Sequence, residues 1–271
     1  MKRIQINDLV VLGRAAPDRM KNGRISYCVA GYSQKYGFLR LYPTNVQCPL
    51  YAWNIVEVPV EQNRQDTRYE SWKIVGSQAS WATLHEKIEV KGSYKKKHRR
   101  QIPWNLRESC CENLNDQRRS LGIIQPVEIK GFFKEREQLL EEEKQKQLSL
   151  EHFLDLAPRE DDWIKTKGEY DFVPYIRYKC PQCRTSQGFH EQQLISIEAY
   201  EWMRKNPDNI DQLWTNYNLY NPEYDIYLFV GNQKIHRNSF MVISILRFKK
   251  TNYPLTYSQP LVPWKKYQKP K

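Results

Sequence analysis

The sequence predicts a mainly β protein with helical insertions (α+β), in which an OB-like barrel precedes a smaller, zinc-stabilised α+β or OB-like lobe. Three observations predict it. Short runs rich in β-branched and aromatic residues, punctuated by Gly, Pro, Asn and Asp, recur along both halves of the 271 residues. A highly charged segment with helical leucine spacing separates the halves. A Cys180-Pro181-Gln182-Cys183 turn follows a β run in the second half, and His190 lies beyond it.

In the first lobe, residues 25–32 (ISYCVAGY), 37–42 (GFLRLY), 55–60 (IVEVPV) and 71–75 (SWKIV) read as strands. Tyr36-Gly37 suggests a hairpin between the first two. Closely spaced short strands with few turns suit a small barrel such as an OB fold. Residues 80–87 read as a short helix and residues 105–121 as a clearer one. Residues 123–132 read as a returning strand, with Pro126 placing it at an edge or start. Residues 134–156 form the strongest helical pattern, although their middle is entirely polar. That segment is either a solvated helix bridging two lobes or a partly disordered linker.

The domain reading is therefore a basic OB-like domain over residues 1–134, an acidic helical linker over 135–165 and a zinc-ribbon-containing lobe over 166–271. A strand pairing across the boundary is left open. In the last lobe, residues 173–179 form a strand entering Cys180. Residues 196–205 form a helix with Ser196 as N-cap, Glu198 in the first turn and Pro207 after the stop. A second helix over 209–217 and strands over 225–230 and 240–248 follow. From Lys250 onward, four prolines and five lysines predict an extended tail.

Charge narrows the function. The chain carries a formal net charge of +12. Residues 1–134 hold 23 Lys+Arg against 12 Asp+Glu, residues 135–162 hold 4 against 10, and residues 163–271 hold 16 against 9. Two basic lobes with 18 Tyr and 8 Trp suit nucleic acid, because cations neutralise phosphates and flat rings stack on bases. The competing reading is a basic surface facing an acidic protein. No apolar run is long enough for a membrane helix, and the N-terminus has no secretory pattern. Six cysteines without such a signal imply a reducing cytoplasm and free or metal-bound thiols.

The densest positive run is Tyr94-Lys95-Lys96-Lys97-His98-Arg99-Arg100, with five cations in seven residues. Lys95, Lys96, Lys97, Arg99 and Arg100 are candidate phosphate contacts and Tyr94 a candidate stacking ring. The alternative is a solvated loop without a dedicated partner. Strand alternation puts Phe38, Arg40 and Tyr42 on one face, which makes Arg40 and Tyr42 candidates for a single-strand platform. The alternative there is that the rings are core and Arg40 snorkels.

Two thiolates two residues apart with a following imidazole suit Zn²⁺, so Cys180, Cys183 and His190 are candidate ligands of a structural zinc. A plain reduced Cys pair in a turn is the alternative. His236, between two strands, is the favoured fourth ligand over Cys28, Cys48, Cys110, Cys111, His85, His98 and His152. Cys110 and Cys111 are adjacent and read as partly buried helix residues rather than ligands of one tetrahedral ion.

Enzyme signatures are thin. GxGxxG, GxxxxGK[ST], GxSxG and HExxH are absent. The zinc-deaminase order, H-x-E ahead of P-C-x-x-C, is not met. Glu169/Asp171 and Asp208/Asp211 are the carboxylate pairs a metal-dependent nuclease would need.

The N-terminal pattern Cys28-Val-Ala-Gly31 and Tyr36-Gly-Phe-Leu-Arg40-Leu-Tyr-Pro43 pairs with a C-terminal one. The latter runs Tyr178-Lys-Cys180-Pro-x-Cys183, His190, a helix with Glu198 and Trp202, Phe229-Val-Gly231 and His236-x-x-x-Phe240. Together they resemble bacterial dual OB-domain proteins associated with mobile-element and anti-phage conflict systems. The resemblance covers both ends of the chain. It implies a non-catalytic nucleic-acid-binding module acting as an accessory or sensor beside another protein's effector activity. It carries Arg40, Pro43, Cys180, Cys183, His190, Gly231, His236 and Phe240 as family-like positions. The expectation is a cytoplasmic protein that binds single-stranded or distorted DNA or RNA and works with a protein partner from the same system. The alternatives are a protein-interaction adaptor and a metal-dependent nuclease.

Overall fold

Strict alternation of apolar side chains builds the first lobe. Val56, Val58 and Val60 are all fully buried while their neighbours in sequence are only partly so, the period-two signature of a strand with one face on a core. The structure is a computed structural model and describes residues 3–20, 22–77, 79–146 and 164–250. Its first seven strands are β1 (Arg3–Arg14), β2 (Asp18–Arg19), β3 (Ile25–Ser33), β4 (Gly37–Thr44), β5 (Asn54–Gln62), β6 (Ser71–Ile74) and β7 (Glu89–Ser93). β1 pairs with β3, β3 with β4, β4 with β6, β6 with β5, and β5 back with β1. This circuit closes a five-stranded barrel, consistent with an OB-like fold, and only its β4–β6 step is parallel. Closure leaves no free edge within the circuit. The β3–β4 hairpin turns at Gly37, whose φ of +76° suits glycine.

The second lobe holds β8 (Arg107–Glu108), β9 (Leu121–Ile124), β10 (Glu128–Glu135), β11 (Phe172–Lys179), β12 (His190–Gln193), β13 (Tyr224–Asn232) and β14 (Phe240–Lys249). β10–β11–β12 and β14–β13–β9–β8 are its two hydrogen-bonded sheets. Leu194, one residue past β12, bridges Val242 of β14 in parallel. β9 and β10 are consecutive, interrupted only around Pro126. Followed through these pairings, β9/β10–β11–β12–β14–β13–β9 repeats the strand order of the first barrel, with the parallel step in the same place. Residues 121–134 therefore belong to the second lobe rather than the first, because β9 and β10 pair with β13 and β11.

The helices are shorter than the sequence pattern predicts. The expected helix over 105–121 is split into α1 (Gln101–Leu106) and α2 (Cys111–Asp116). Arg107 and Cys110 are extended between them, and Arg107-Glu108 pairs with β9. Residues 80–87 hold only a 3-10 turn at Leu84–Lys87. α3 (Arg136–Lys146) is the described part of the acidic helix. The rest of that segment through 163, and the tail from 251, lie outside the described residues. α4 (Ile197–Lys205) begins after Ser196 as expected, and α5 (Gln212–Asn216) follows. Among the described residues no helix is long and apolar enough to cross a membrane.

A third core joins the lobes. Leu12, Tyr32 and Phe38 from the first pack with Leu121, Tyr227, Phe229 and Ile243 from the second, and the Phe38 and Phe229 rings lie 5.5 Å apart. Beside it runs a buried polar seam. Arg40 donates to Ser120 Oγ at 3.2 Å, to the Ser120 carbonyl at 3.2 Å and to the Asn232 carbonyl at 3.4 Å. Glu70 accepts from the Ser120 amide at 2.9 Å and its hydroxyl at 2.8 Å. Arg68 pairs with Asp66 at 2.6 Å and reaches the Asn232 carbonyl at 2.5 Å. A Cβ on Gly231 would lie 2.8 Å from Arg40 Nη2 and 2.7 Å from Ile243, so glycine there lets the guanidinium approach the backbone.

Burial raises the Asp66 carboxyl, but hydrogen bonds from Arg68 and Ser71 outweigh it and hold the group down at about 2, below the ordinary 3.8. A depressed carboxylate contributes stability above its unfolded value and loses it as pH falls through the folded one. The seam should therefore weaken between about pH 4 and pH 2. In thermal melts at pH 5 and pH 2, Asp66→Asn should lose less stability on acidification than the wild type. Equal losses would remove Asp66 from the acid response.

Candidate metal centre and basic cleft

β11 ends at Lys179 and delivers Cys180 into a turn; β12 begins with His190. The register sets Tyr178 opposite His190, and their rings stack 5.0 Å apart at 26°. This turn docks on the start of α2. The Gln182 amide donates to the Ser109 carbonyl at 3.3 Å, and Arg184 pairs with Asp116 at 2.7 Å. Docking brings Cys110 to the turn. The ligand atoms of Cys110, Cys180 and His190 lie within 4.8 Å of one another, and all three residues are buried. Cys110 Sγ is 3.7 Å from His190 Nε2.

Donors on one tetrahedral ion sit about 3.3–3.8 Å apart when bonds are about 2.0–2.3 Å. The cluster is close to that spacing. Two thiols and an imidazole form a soft donor set, so this group could hold a metal ion. Glu112 touches Cys110 Sγ and lies 3.6 Å from His190 Nε2. Cys111 Sγ lies 3.0 Å from Tyr178 Oη and 3.8 Å from Gln192 Nε2. A hydrogen bond with Cys180 draws the Cys111 thiol down, and the same contact pushes Cys180 up. Burial pushes Cys110 up and the His190 imidazolium down, which favours the neutral, ligating imidazole. All six cysteines are free thiols.

The structure thus joins two of the four predicted ligands, Cys180 and His190, with one that sequence reading sets aside. Cys183 lies outside the cluster, with its Sγ 3.3 Å from Thr185 Oγ1. His236 is exposed on the β13–β14 turn, though it lines the same cleft as His190. Adjacency does not exclude Cys110, because Cys110 is extended while Cys111 opens the helix, and the Cys110 thiol reaches both Cys180 and His190. The available signal was a Cys-Cys-Glu run at a helix start. Neither Glu169/Asp171 nor Asp208/Asp211 joins a metal-ligating group among the described residues. Glu169 instead closes a capping box with Thr166.

The basic run falls on a cleft of about 720 Å³ beside the core shared by the lobes. Lys96, Lys97, Arg99 and Arg100 line it from one side, Arg247 and Lys249 from β14, and Trp53 and Phe248 supply rings. Lys95, Lys96 and Lys97 are exposed and form no ion pair among the described residues. Arg99 lies 5.1 Å over the Trp53 ring, which meets Phe248 edge-on at 6.0 Å. Its Nε also donates to the Tyr94 carbonyl at 2.9 Å, which fixes the guanidinium on the ring. Arg100 pairs with Asp225.

The other predicted contacts are placed differently. Arg40 is 3% exposed and committed to internal carbonyls, so its guanidinium stands inside the seam and not on a nucleic-acid face. Tyr94 is half-buried, packs against the core shared by the lobes, and has its phenol pushed up by burial. Tyr42 is exposed on β4, apart from the cleft. Trp53, Phe248 and Arg247 were missed. They are distant in sequence, and only the packing of β14 against the first lobe brings them together.

Fold and sites define a protein of two β-barrel-like lobes with a shared core, a candidate metal centre in the second lobe and a basic, aromatic cleft. The chain belongs to the family described as Domain of unknown function (DUF8757), whose model matches residues 107–261. A second model, Domain of unknown function (DUF8758), matches residues 5–113. No curated protein and no solved structure matches the chain.

Proposed function

We propose that this protein binds single-stranded or distorted nucleic acid with little sequence preference, as a non-catalytic accessory or sensor component beside a protein partner. One observation carries the reading. The densest cationic run of the chain folds onto a cleft whose floor holds Trp53, with Arg99 fixed on one face and Phe248 against its edge. Free lysines at the rim suit phosphates, and rings suit unpaired bases. A soft donor set around Cys110, Cys180 and His190 supports zinc as the ion, in a structural role, because it would pin the β11–β12 turn to α2.

The test is salt dependence. Each phosphate contact to a single strand contributes about −0.7 to the slope of log K against log salt. Replacing Lys95, Lys96 and Lys97 together by Ala should flatten that slope by about 2 in fluorescence-polarisation titrations of a labelled oligonucleotide. An unchanged slope would remove this loop from the interface.

A further inference from the structure

A second, smaller pocket of about 270 Å³ opens on the first barrel and shares no lining residue with the basic cleft. The barrel's alternation builds it. Leu39 and Leu41 point into the core, so Tyr42 at the end of β4 points out, and it is 36% exposed. Trp72 and Ile74 point in, so Lys73 points out. The parallel register sets Leu41 opposite Trp72, which brings Tyr42 and Lys73 to neighbouring positions. Trp81 forms another wall. Its carbonyl accepts from Asn45 Nδ2 at 2.7 Å, and Arg24 covers its ring at 5.5 Å.

The polar groups are placed for recognition. Asn63 is 6% exposed, and its Oδ1 accepts from the Gln65 amide at 3.1 Å. Its Nδ2 has no hydrogen-bond partner among the described residues. A donor without a protein partner in a pocket wall is open to a ligand acceptor and gives specificity when met. Lys73 forms no ion pair among the described residues. No carboxylate lines the pocket. Two rings, amide side chains and two cations without a counter-acid suit a flat heteroaromatic group that carries negative charge. The volume suits one such unit and not a stack of them.

The geometry points to a nucleotide pocket: one unit of a strand enters it, with its base against Tyr42, the Arg24-covered Trp81 as the opposite wall, its edge read by Asn63, and its phosphate between Arg24 and Lys73. This inference rests on the nucleic-acid reading above and adds a base-reading site to it. The test uses the full chain, titrated calorimetrically with AMP, GMP, CMP, UMP and inorganic phosphate. At least one nucleotide should bind more tightly than phosphate. Tyr42→Ala and Lys73→Ala, both at outward-facing positions, should each weaken it about tenfold, and Tyr42→Phe should retain it. The Lys95/Lys96/Lys97 triple alanine variant should bind mononucleotides as the wild type does. Failure of every nucleotide to exceed phosphate, or wild-type binding by Tyr42→Ala and Lys73→Ala, would overturn the pocket. The two readings separate cleanly. Salt-sensitive oligonucleotide binding that ignores Tyr42 and Lys73 keeps the cleft and removes the pocket. Mononucleotide binding without oligonucleotide binding removes the cleft and leaves the pocket to a free nucleotide, overturning the strand as its occupant.

Discussion

Cys110→Ala is expected to strip the protein of its metal and to melt the second lobe at a much lower temperature. The cluster is buried, and its members come from α2, the end of β11 and the start of β12. The ten residues between β11 and β12, 180–189, contain no strand or helix, so the contacts to α2, together with an ion held by the cluster, would carry their order. Structural zinc binding contributes on the order of 10–16 kcal/mol in small peptide sites. Here a large core already shapes the site, so the expected loss is smaller, about 5 kcal/mol, or roughly 10–20 °C in Tm for a chain of this size. Elemental analysis should find about one equivalent of zinc in the wild type and little in Cys110→Ala, Cys180→Ala or His190→Ala. Cys183→Ala and His236→Ala should keep it. The reverse pattern, zinc retained without Cys110 and lost without Cys183, would falsify the cluster as the ligand set.

Arg40→Ala is expected to be the next most damaging change, and to act on stability rather than binding. The side chain is 3% exposed, and burial draws its pKa down. Its guanidinium is hydrogen-bonded to Ser120 and Asn232, beside Asp66, Arg68 and Glu70. Removing one member of a buried charge network leaves the others uncompensated and costs about 3–5 kcal/mol. The two carbonyls and the Ser120 hydroxyl lose a donor as well. Thermal melts should show a drop of roughly 6–20 °C, while the salt slope for oligonucleotide binding stays at the wild-type value. A flattened slope with an unchanged Tm would return Arg40 to the nucleic-acid surface. The contrast with Lys95, Lys96 and Lys97 is sharp, since exposed substitutions usually shift stability by no more than about 0.5 kcal/mol.

Local patterns were legible wherever one residue's neighbours in sequence decide its surroundings. The runs that became β3 to β6, the Ser196 helix start and the Cys180 turn all depend on period, punctuation or capping. β1 escaped because its register shifts between Ile6 and Leu9 where it pairs with β5, which breaks the alternation. The metal cluster was half legible. Cys180 and His190 meet through one hairpin, whereas Cys110 meets them only after a turn 70 residues later in sequence docks on its helix. Arg40 misled for a related reason. Alternation correctly put it off the first barrel's core, but the second lobe covers that face. Separation into lobes was misread because β9 and β10 owe their membership to partners, β13 and β11, that lie beyond the acidic segment in sequence.

The strand order shared by the two lobes casts the Cys/His cluster in another light. The chain spells one wiring diagram twice, in stretches that share no detectable repeat. At the joint between second and third strands, the first spelling uses three residues, 34–36, closed by Gly37. The second uses ten, 180–189, leading into His190. A short joint fixes the angle of the returning strand by its own stiffness, while a long one needs a fastener. Cys110, Cys180 and His190 stand where that fastener is required, so an ion held there would do for the second spelling what a tight turn does for the first.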